Sequence, residues 1–378
     1  MKKQLLSTSA IALGVAMASP AAAQQWDLEW GGFVNTHVGA SDVDLPSDYK
    51  ADYTADLDGV NIFTNSEIIF RPSVTLDNGL TFGVNVQMEA LNGGGGQDGI
   101  DESYAYMESD TLGRIEAGSH NSAGYLLSKG APSVGSMAIN SPSISAFVPF
   151  LSAQGFRQAG ISSYTEVAGN NDVQRLTYFT PSFNGLVVGV SYAPSSAGNA
   201  SNNAPVSFNN SAQVTDIFDI GAAYDQSFGA VDLGLSARWG TGNSNDAVID
   251  DPTTWSVGAN LGVNGFTFGG SYGENDNGVA SGEDYNEGFS LGVSYDVAGP
   301  WTVGLETYQG ELKNADGAPD SDYETYKLAG SRSLGSGVSW DVYYAYVETN
   351  NGAAFGDPKV VEGKVEGNVI ATAINLSF

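Results

Sequence analysis

Sixteen runs of alternating apolar and polar residues recur between Trp26 and Phe378, and the connections between them alternate short and long. Period two is the mark of a strand with two unlike faces. The runs cover roughly 26–40, 60–76, 80–90, 102–109, 114–120, 173–180, 186–193, 215–226, 231–240, 253–263, 266–275, 284–297, 301–311, 322–334, 338–349 and 367–378. The short connections are Asp77–Gly79, Asp110–Gly113, Pro181–Gly185, Ser227–Ala230, Asn264–Gly265, Ala298–Pro300 and Gly335–Gly337. They hold the Gly, Asn, Asp and Pro that tight hairpins demand. The long connections are polar and acidic. Tight turns therefore collect at one end of the fold and long loops at the other. A soluble β-sandwich does not sort its connections so regularly. A closed membrane barrel does, with turns in the periplasm and loops outside.

The faces of the strands agree. One parity carries Phe266, Phe268 and Tyr272, then Phe289, Leu291, Val293 and Tyr295, then Trp340, Val342, Tyr344 and Tyr346. The other carries Asn85, Gln87, Ser236, Ser256, Asn260, Ser290, Ser294 and Asn375, which suits a water-filled lumen better than a dry core. Aromatics gather near strand ends (Trp26, Trp30, Tyr192, Trp239, Trp255, Trp301, Trp340), as two interfacial belts require. The last run alternates to Phe378, as expected of a strand paired on both sides to close a barrel. The expectation is an all-β, sixteen-stranded antiparallel transmembrane barrel.

Residues 1–23 read as a signal peptide cleaved after Ala23, with Lys2 and Lys3, a short apolar stretch and a small-residue exit. Residues 24–378 then form one barrel. Removing two lysines takes the formal charge from −29 to −31. That acidity argues against nucleic acid as a partner. Cysteine is absent, so no disulfide contributes.

One connection, residues 121–171, is long and lacks alternation, and loops of that length are usually functional. Ahead of it lie Tyr104 and Tyr106, a tight turn, and a strand with Gly113, Arg114, Ile115 and Gly118. This order of parts, with the terminal Phe378, resembles the general diffusion porins of Gram-negative bacteria, in particular the sixteen-stranded alphaproteobacterial type. The resemblance covers the whole mature chain. It implies an outer-membrane location, a water-filled channel for passive diffusion of small hydrophilic solutes and ions, and a homotrimer. It also implies contacts with lipid and lipopolysaccharide, recognition of Phe378 by the barrel assembly machinery, and a third loop, 121–171, folded inward as the constriction. Such porins commonly face an acidic loop toward a basic wall. This loop has only Glu166 as a carboxylate, beside Lys129 and Arg157, and its middle, from Ser141 to Leu151, is apolar. A narrower, partly apolar constriction is expected. Ala105 and Ala117 are small outward residues suited to close protein contact.

Parity turns Arg71, Arg114, Arg175, Arg238 and Lys327 inward, with Glu67, Glu89, Glu116, Asp219, Asp232, Glu306 and Asp341. Charges lining a pore set its ion preference. Arg71, Arg175 and Arg238 lie five or more residues from their turns and so are expected near mid-height. His37 points inward beside them. The acidic loops are expected to draw cations to the mouth and the arginines anions to the waist, for a weak net cation preference. No cofactor is required, although Asp42, Asp44, Asp48, Asp316, Asp320 and Asp322 offer oxygens that suit a structural Ca²⁺. The competing reading is a channel selective for a sugar or a dicarboxylate, for which the inward Tyr308 and Tyr343 are the aromatics at hand. A structural or adhesin barrel and a barrel enzyme are more remote. Enzyme activity is not expected, because His120, Asn121 and Ser122 are consecutive and cannot converge as a triad on one strand face.

Overall fold

The computed structural model describes residues 25–46, 56–92, 99–140, 142–149, 166–167, 172–197, 213–246, 250–276, 285–313, 320–351 and 363–378. The proposed signal peptide, Asp48, Asp316, Arg157 and parts of the long third loop lie outside them.

Sixteen strands form. They are β1 (Asp27–Asp44), β2 (Gly59–Thr75), β3 (Thr81–Asn92), β4 (Ser103–Ser109), β5 (Gly113–Ser119), β6 (Gln174–Phe179), β7 (Leu186–Ser195) and β8 (Val214–Phe228), followed by β9 (Val231–Ser244), β10 (Thr253–Val263), β11 (Phe266–Asp276), β12 (Tyr285–Asp296), β13 (Trp301–Lys313), β14 (Ser321–Gly335), β15 (Val338–Asn351) and β16 (Gly363–Ser377). Each pairs antiparallel with its sequence neighbours, and β1 pairs with β16, so the sheet closes with no free edge. Backbone closure matters in lipid, where no water satisfies an open edge. Phe378 completes the last rung: its N–H donates to Gly32 O at 3.1 Å and its carbonyl accepts from Gly32 N at 3.0 Å.

The tight turns use backbone that few residues tolerate. Asn264 and Gly265 both have positive φ, 51° and 82°, the two-residue hairpin geometry that matches strand twist. Several strands run further than their alternation suggested. β1 reaches Asp44, and β16 begins at Gly363. There the outward row becomes acidic: Asp44 stands opposite Glu366, and Glu366 opposite Glu348. Pairing continues although the apolar signal has ended.

The outward face is apolar and exposed, with Ile62, Leu176, Leu235, Phe268, Leu291, Leu328 and Ile370 among its residues. Two aromatic girdles bound it. Trp30, Trp301 and Trp340 mark the turn end, and Tyr192, Trp239 and Trp255 the loop end. Trp239 and Trp255 are direct cross-strand partners.

The inward face departs from expectation on one side. The inward rows of β13–β16 and the loop-side halves of β1 and β2 carry an apolar group: Val43, Phe63, Tyr308, Leu312, Tyr323, Tyr343, Val347, Val365 and Val369 are buried in one cluster. A barrel wall open to water would not bury these groups. What covers them is the third loop.

Candidate functional site: the third loop and the lumen

The third loop leaves β5 at His120 and enters a short helix, α1 (Ala123–Leu127). Ser122 caps it, its Oγ accepting from Tyr125 N at 3.2 Å. The N–H groups that a helix start leaves unpaired are taken up by the wall and the returning loop. Ser122 N donates to Glu166 Oε1 at 2.7 Å, Ala123 N to Ser191 Oγ at 2.7 Å, and Gly124 N to Asp219 Oδ1 at 2.5 Å. Beyond the helix the backbone follows the inner wall. Lys129 N donates to Ser236 on β9, Ala131 N to Ser290 on β12, and Ser136 N to Asp341 on β15. Asn260 on β10 donates to Gly130 O at 2.8 Å, Tyr323 on β14 to Ile139 O at 2.7 Å, and Asn61 on β2 to Ala146 O at 2.6 Å. The loop is therefore a collar laid along the wall.

Inward glycines make room for it. A Cβ on Gly221 (β8) would stand 2.7 Å from the Gly124 Cα. One on Gly304 (β13) would stand 2.5 Å from Val134 Cγ2, one on Gly39 (β1) 2.7 Å from Phe147, and one on Gly367 (β16) 2.5 Å from Val148. Gly258 on β10 leaves space for the Lys129 carbonyl, and Gly240 on β9 for Val167. Glycine inside a strand often marks close approach by another backbone.

The collar also has an apolar grip. Val134, Met137, Ile139, Ile144, Phe147 and Val148 are buried with the inward side chains of β13–β16, β1 and β2. Each contributes about 1.5–3 kcal/mol on burial, so the loop is held by far more than its hydrogen bonds. The expected apolar loop middle is thus real at Ile144, Phe147 and Val148, but these side chains face the wall. Tyr308 and Tyr343 lie under the collar at 1% and 5% exposure, and neither lines a solute path.

The inward charges meet partners in the same space. Arg175 bonds Glu166 at 3.1 Å, Arg238 bonds Asp219 at 2.8 Å, and Lys327 bonds Glu306 at 2.6 Å, all nearly buried. Arg114 lies between Glu116 at 2.6 Å and Glu108 at 2.7 Å, and over the Tyr106 ring at 4.0 Å. His37 is buried, with Nδ1 3.1 Å from Tyr343 Oη and Nε2 3.4 Å from Ser136 Oγ. Arg71 is the most exposed of the inward arginines, 3.5 Å from Glu29, with side-chain exposures of 28% and 61%. The expectation that Arg71, Arg175 and Arg238 act together at the waist therefore fails in part. Arg175 and Arg238 are neutralised in place and hold the collar. Glu67 and Glu89 stand opposite each other on β2 and β3 and are part-exposed.

At the loop root, Glu102 accepts from Gln87 Nε2 at 2.6 Å and from Asn121 Nδ2 at 2.7 Å. Burial pushes its carboxyl up to about 7, against the downward pull of Asn121. Of the acidic rim residues, Asp42 and Asp44 end β1, and Asp320 and Asp322 lie at the start of β14. No three His, Cys, Asp or Glu residues converge as a metal-holding group among the described residues.

Parity alone missed the collar seat. The signal was present in the inward phase of Gly39, Gly221, Gly258, Gly304 and Gly367, but parity does not say whether a face meets water or another stretch of chain.

A family profile described as Gram-negative porin matches residues 7–352. No curated protein matches the chain by sequence. Among solved structures, the anion-selective porin from Comamonas acidovorans superposes at a TM-score of 0.57 and 17% identity, covering 94% of this chain and 100% of that one. Salmonella typhi OmpF in complex with daunomycin gives 0.57 at 15% identity over 94% and 98%. The trimer form of OmpT from Vibrio cholerae gives 0.60 at 11% identity over 93% and 99%. At these identities the superpositions speak for the fold.

Proposed function

We propose a working scheme for this channel from the premise that the chain belongs to the Gram-negative porin family. It forms an outer-membrane channel for passive diffusion, and family and fold imply a channel rather than an enzyme. In our reading the collar is a fixed constriction. Its seating on wall glycines and its six buried apolar side chains support this, because no small perturbation lifts a segment anchored from both ends. Solutes pass by size and charge, without a site that saturates. The sugar-selective alternative loses its support, since Tyr308 and Tyr343 are covered. Hydrolysis is also disfavoured: His120 Nε2 is 2.9 Å from Thr177 Oγ1, and the Ser122 hydroxyl caps α1.

The oligomer is a homotrimer in this scheme. The short strands β4 and β5 offer Ala105 and Ala117, which are direct cross-strand partners on the outward face and allow backbones to approach. The same reading keeps lipopolysaccharide around the acidic rim, with Ca²⁺ as a bridging ion there.

Planar-bilayer recording tests the scheme. Ohmic steps in groups of three, with conductance linear in salt and unaffected by sugars, are expected. Absence of conductance, or current block that saturates with one solute, overturns it.

A further inference from the structure

We infer that the turn end of β13–β15 holds one phospholipid with an anionic head group, its phosphate on Arg332 and an acyl chain in the apolar groove beside it. The site lies on the outer wall, apart from the pore. Among the described residues, three cations face outward. Lys313 and Lys364 stand at the loop end among carboxylates: Lys313 pairs with Glu311, and Lys364 lies 3.0 Å from both Glu348 and Glu366. Arg332 stands at the turn end, three residues before Gly335, and is exposed. Its guanidinium makes no ion pair among the described residues.

Two tryptophans bracket it. Trp301 is its direct partner on β13, and Trp340 its direct partner on β15. Their ring centroids lie 5.6 Å apart, and Arg332 Cζ is 5.9 Å from the Trp301 ring centre. Trp340 Nε1 donates to Thr372 Oγ1 at 2.7 Å, which fixes that ring against the wall. Indole rings settle at the level of lipid head groups, so Arg332 stands where phosphates are. A guanidinium takes a phosphate with two parallel N–H donors. With no carboxylate paired to Arg332, nothing at the site receives the ammonium of a zwitterionic head. A head with net negative charge is the better match.

Toward the membrane centre the outer wall is grooved. Gly330 is the direct partner of Val303 on one side and Val342 on the other, and it leaves a gap between their outward side chains. The Trp301 ring leans over that gap, its Cζ3 3.4 Å from the place of a Gly330 Cβ. The groove continues past Leu328 and Thr372 and holds about 830 Å³. Clefts of roughly 300–1,000 Å³ receive small apolar ligands. Trp301 lines the groove and also touches Arg332, so the cation and the apolar path form one continuous surface. Four strands, β16, β1, β2 and β3, separate β15 from β4. Arg332 and its two tryptophans are thus clear of the subunit contact proposed for β4 and β5.

The test reconstitutes the full barrel in phosphatidylcholine bilayers that carry an equal mole fraction of either brominated-chain phosphatidylglycerol or brominated-chain phosphatidylcholine. The readout is quenching of tryptophan fluorescence. Wild type should bind the anionic lipid with an apparent affinity at least about threefold higher, and the excess should shrink with added salt. Arg332→Gln, an exposed change far from the pore, should remove the excess, whereas Lys364→Gln at the loop end should keep it. The Trp301→Phe and Trp340→Phe double variant loses the reporters beside the site, so its excess quenching should fall as well. Equal quenching by the two lipids in wild type, an excess that survives Arg332→Gln, or one that survives loss of both tryptophans overturns the inference.

Discussion

Placing a methyl group on Gly221 puts the collar's seat to a direct test. Its Cβ would lie 2.7 Å from Gly124 Cα, 3.1 Å from Ala123 O and 3.2 Å from Gly124 N. Carbon atoms prefer about 3.5–4.0 Å, so α1 must retreat by about 1 Å toward the lumen. Three hydrogen bonds resist: those from Ser122 N, Ala123 N and Gly124 N, at 2.5–2.7 Å. Two of them end on carboxylates, and losing all three costs about 4–7 kcal/mol. Overpacking strain costs about 1–3 kcal/mol. Strain is the smaller penalty, so Gly221→Ala should keep the helix seated but displaced inward. Gly221→Leu cannot be absorbed and should unseat it. Single-channel conductance should then fall modestly in the first variant and become noisy and larger in the second. Ala222→Leu, one residue along and facing lipid, is the control and should change neither quantity. Wild-type conductance in both Gly221 variants, or equal effects from Ala222→Leu, would refute the argument.

Phe147→Ala removes a ring packed on Gly39 and should cost about 3–5 kcal/mol of local stability, seen as a lower thermal midpoint and flickering current. Asp219→Ala strands the buried Arg238 guanidinium and should lower stability by about 3–5 kcal/mol; adding Arg238→Met should recover part of the loss in folded yield. For Glu102, the native state keeps its proton between the ordinary 4.5 and about 7, where the unfolded chain has lost it. Its contribution to stability therefore declines as pH rises through that window. Glu102→Gln should flatten the fall in thermal midpoint between those pH values, measured in detergent; an unchanged slope would show that another group is responsible.

The strands were legible because their turns and their period speak locally. Asn264 and Gly265 announce a hairpin whatever surrounds them, and Phe266, Phe268 and Tyr272 mark one face without help from afar. The collar was not legible in this way. Arg238 and Lys327 take the inward phase, yet phase cannot reveal that Asp219 and Glu306 cancel them and that residues more than a hundred positions away cover them. Tyr308 and Tyr343 likewise take the inward phase, but phase does not show that they are buried, because the chain that covers them lies far off in sequence. Glu67 and Glu89 could be assigned a face from phase, but their direct opposition depends on register across a bulge.

The two ends of the collar's apolar grip have a consequence for how the protein is made. Phe147 rests on Gly39 of β1, and Val148 on Gly367 of β16. Those two strands are neighbours only after the first and last parts of the chain have met. This part of the seat is thus absent from any nascent hairpin array, and Phe147 and Val148 can dock together only once the cylinder is shut. Until then Ile144, Phe147 and Val148 have no complete surface to settle on and stay open to chaperones and proteases. A protease cut near these residues should therefore be possible during insertion and blocked afterwards, making the docking of this segment a timer for the completion of the wall that holds it.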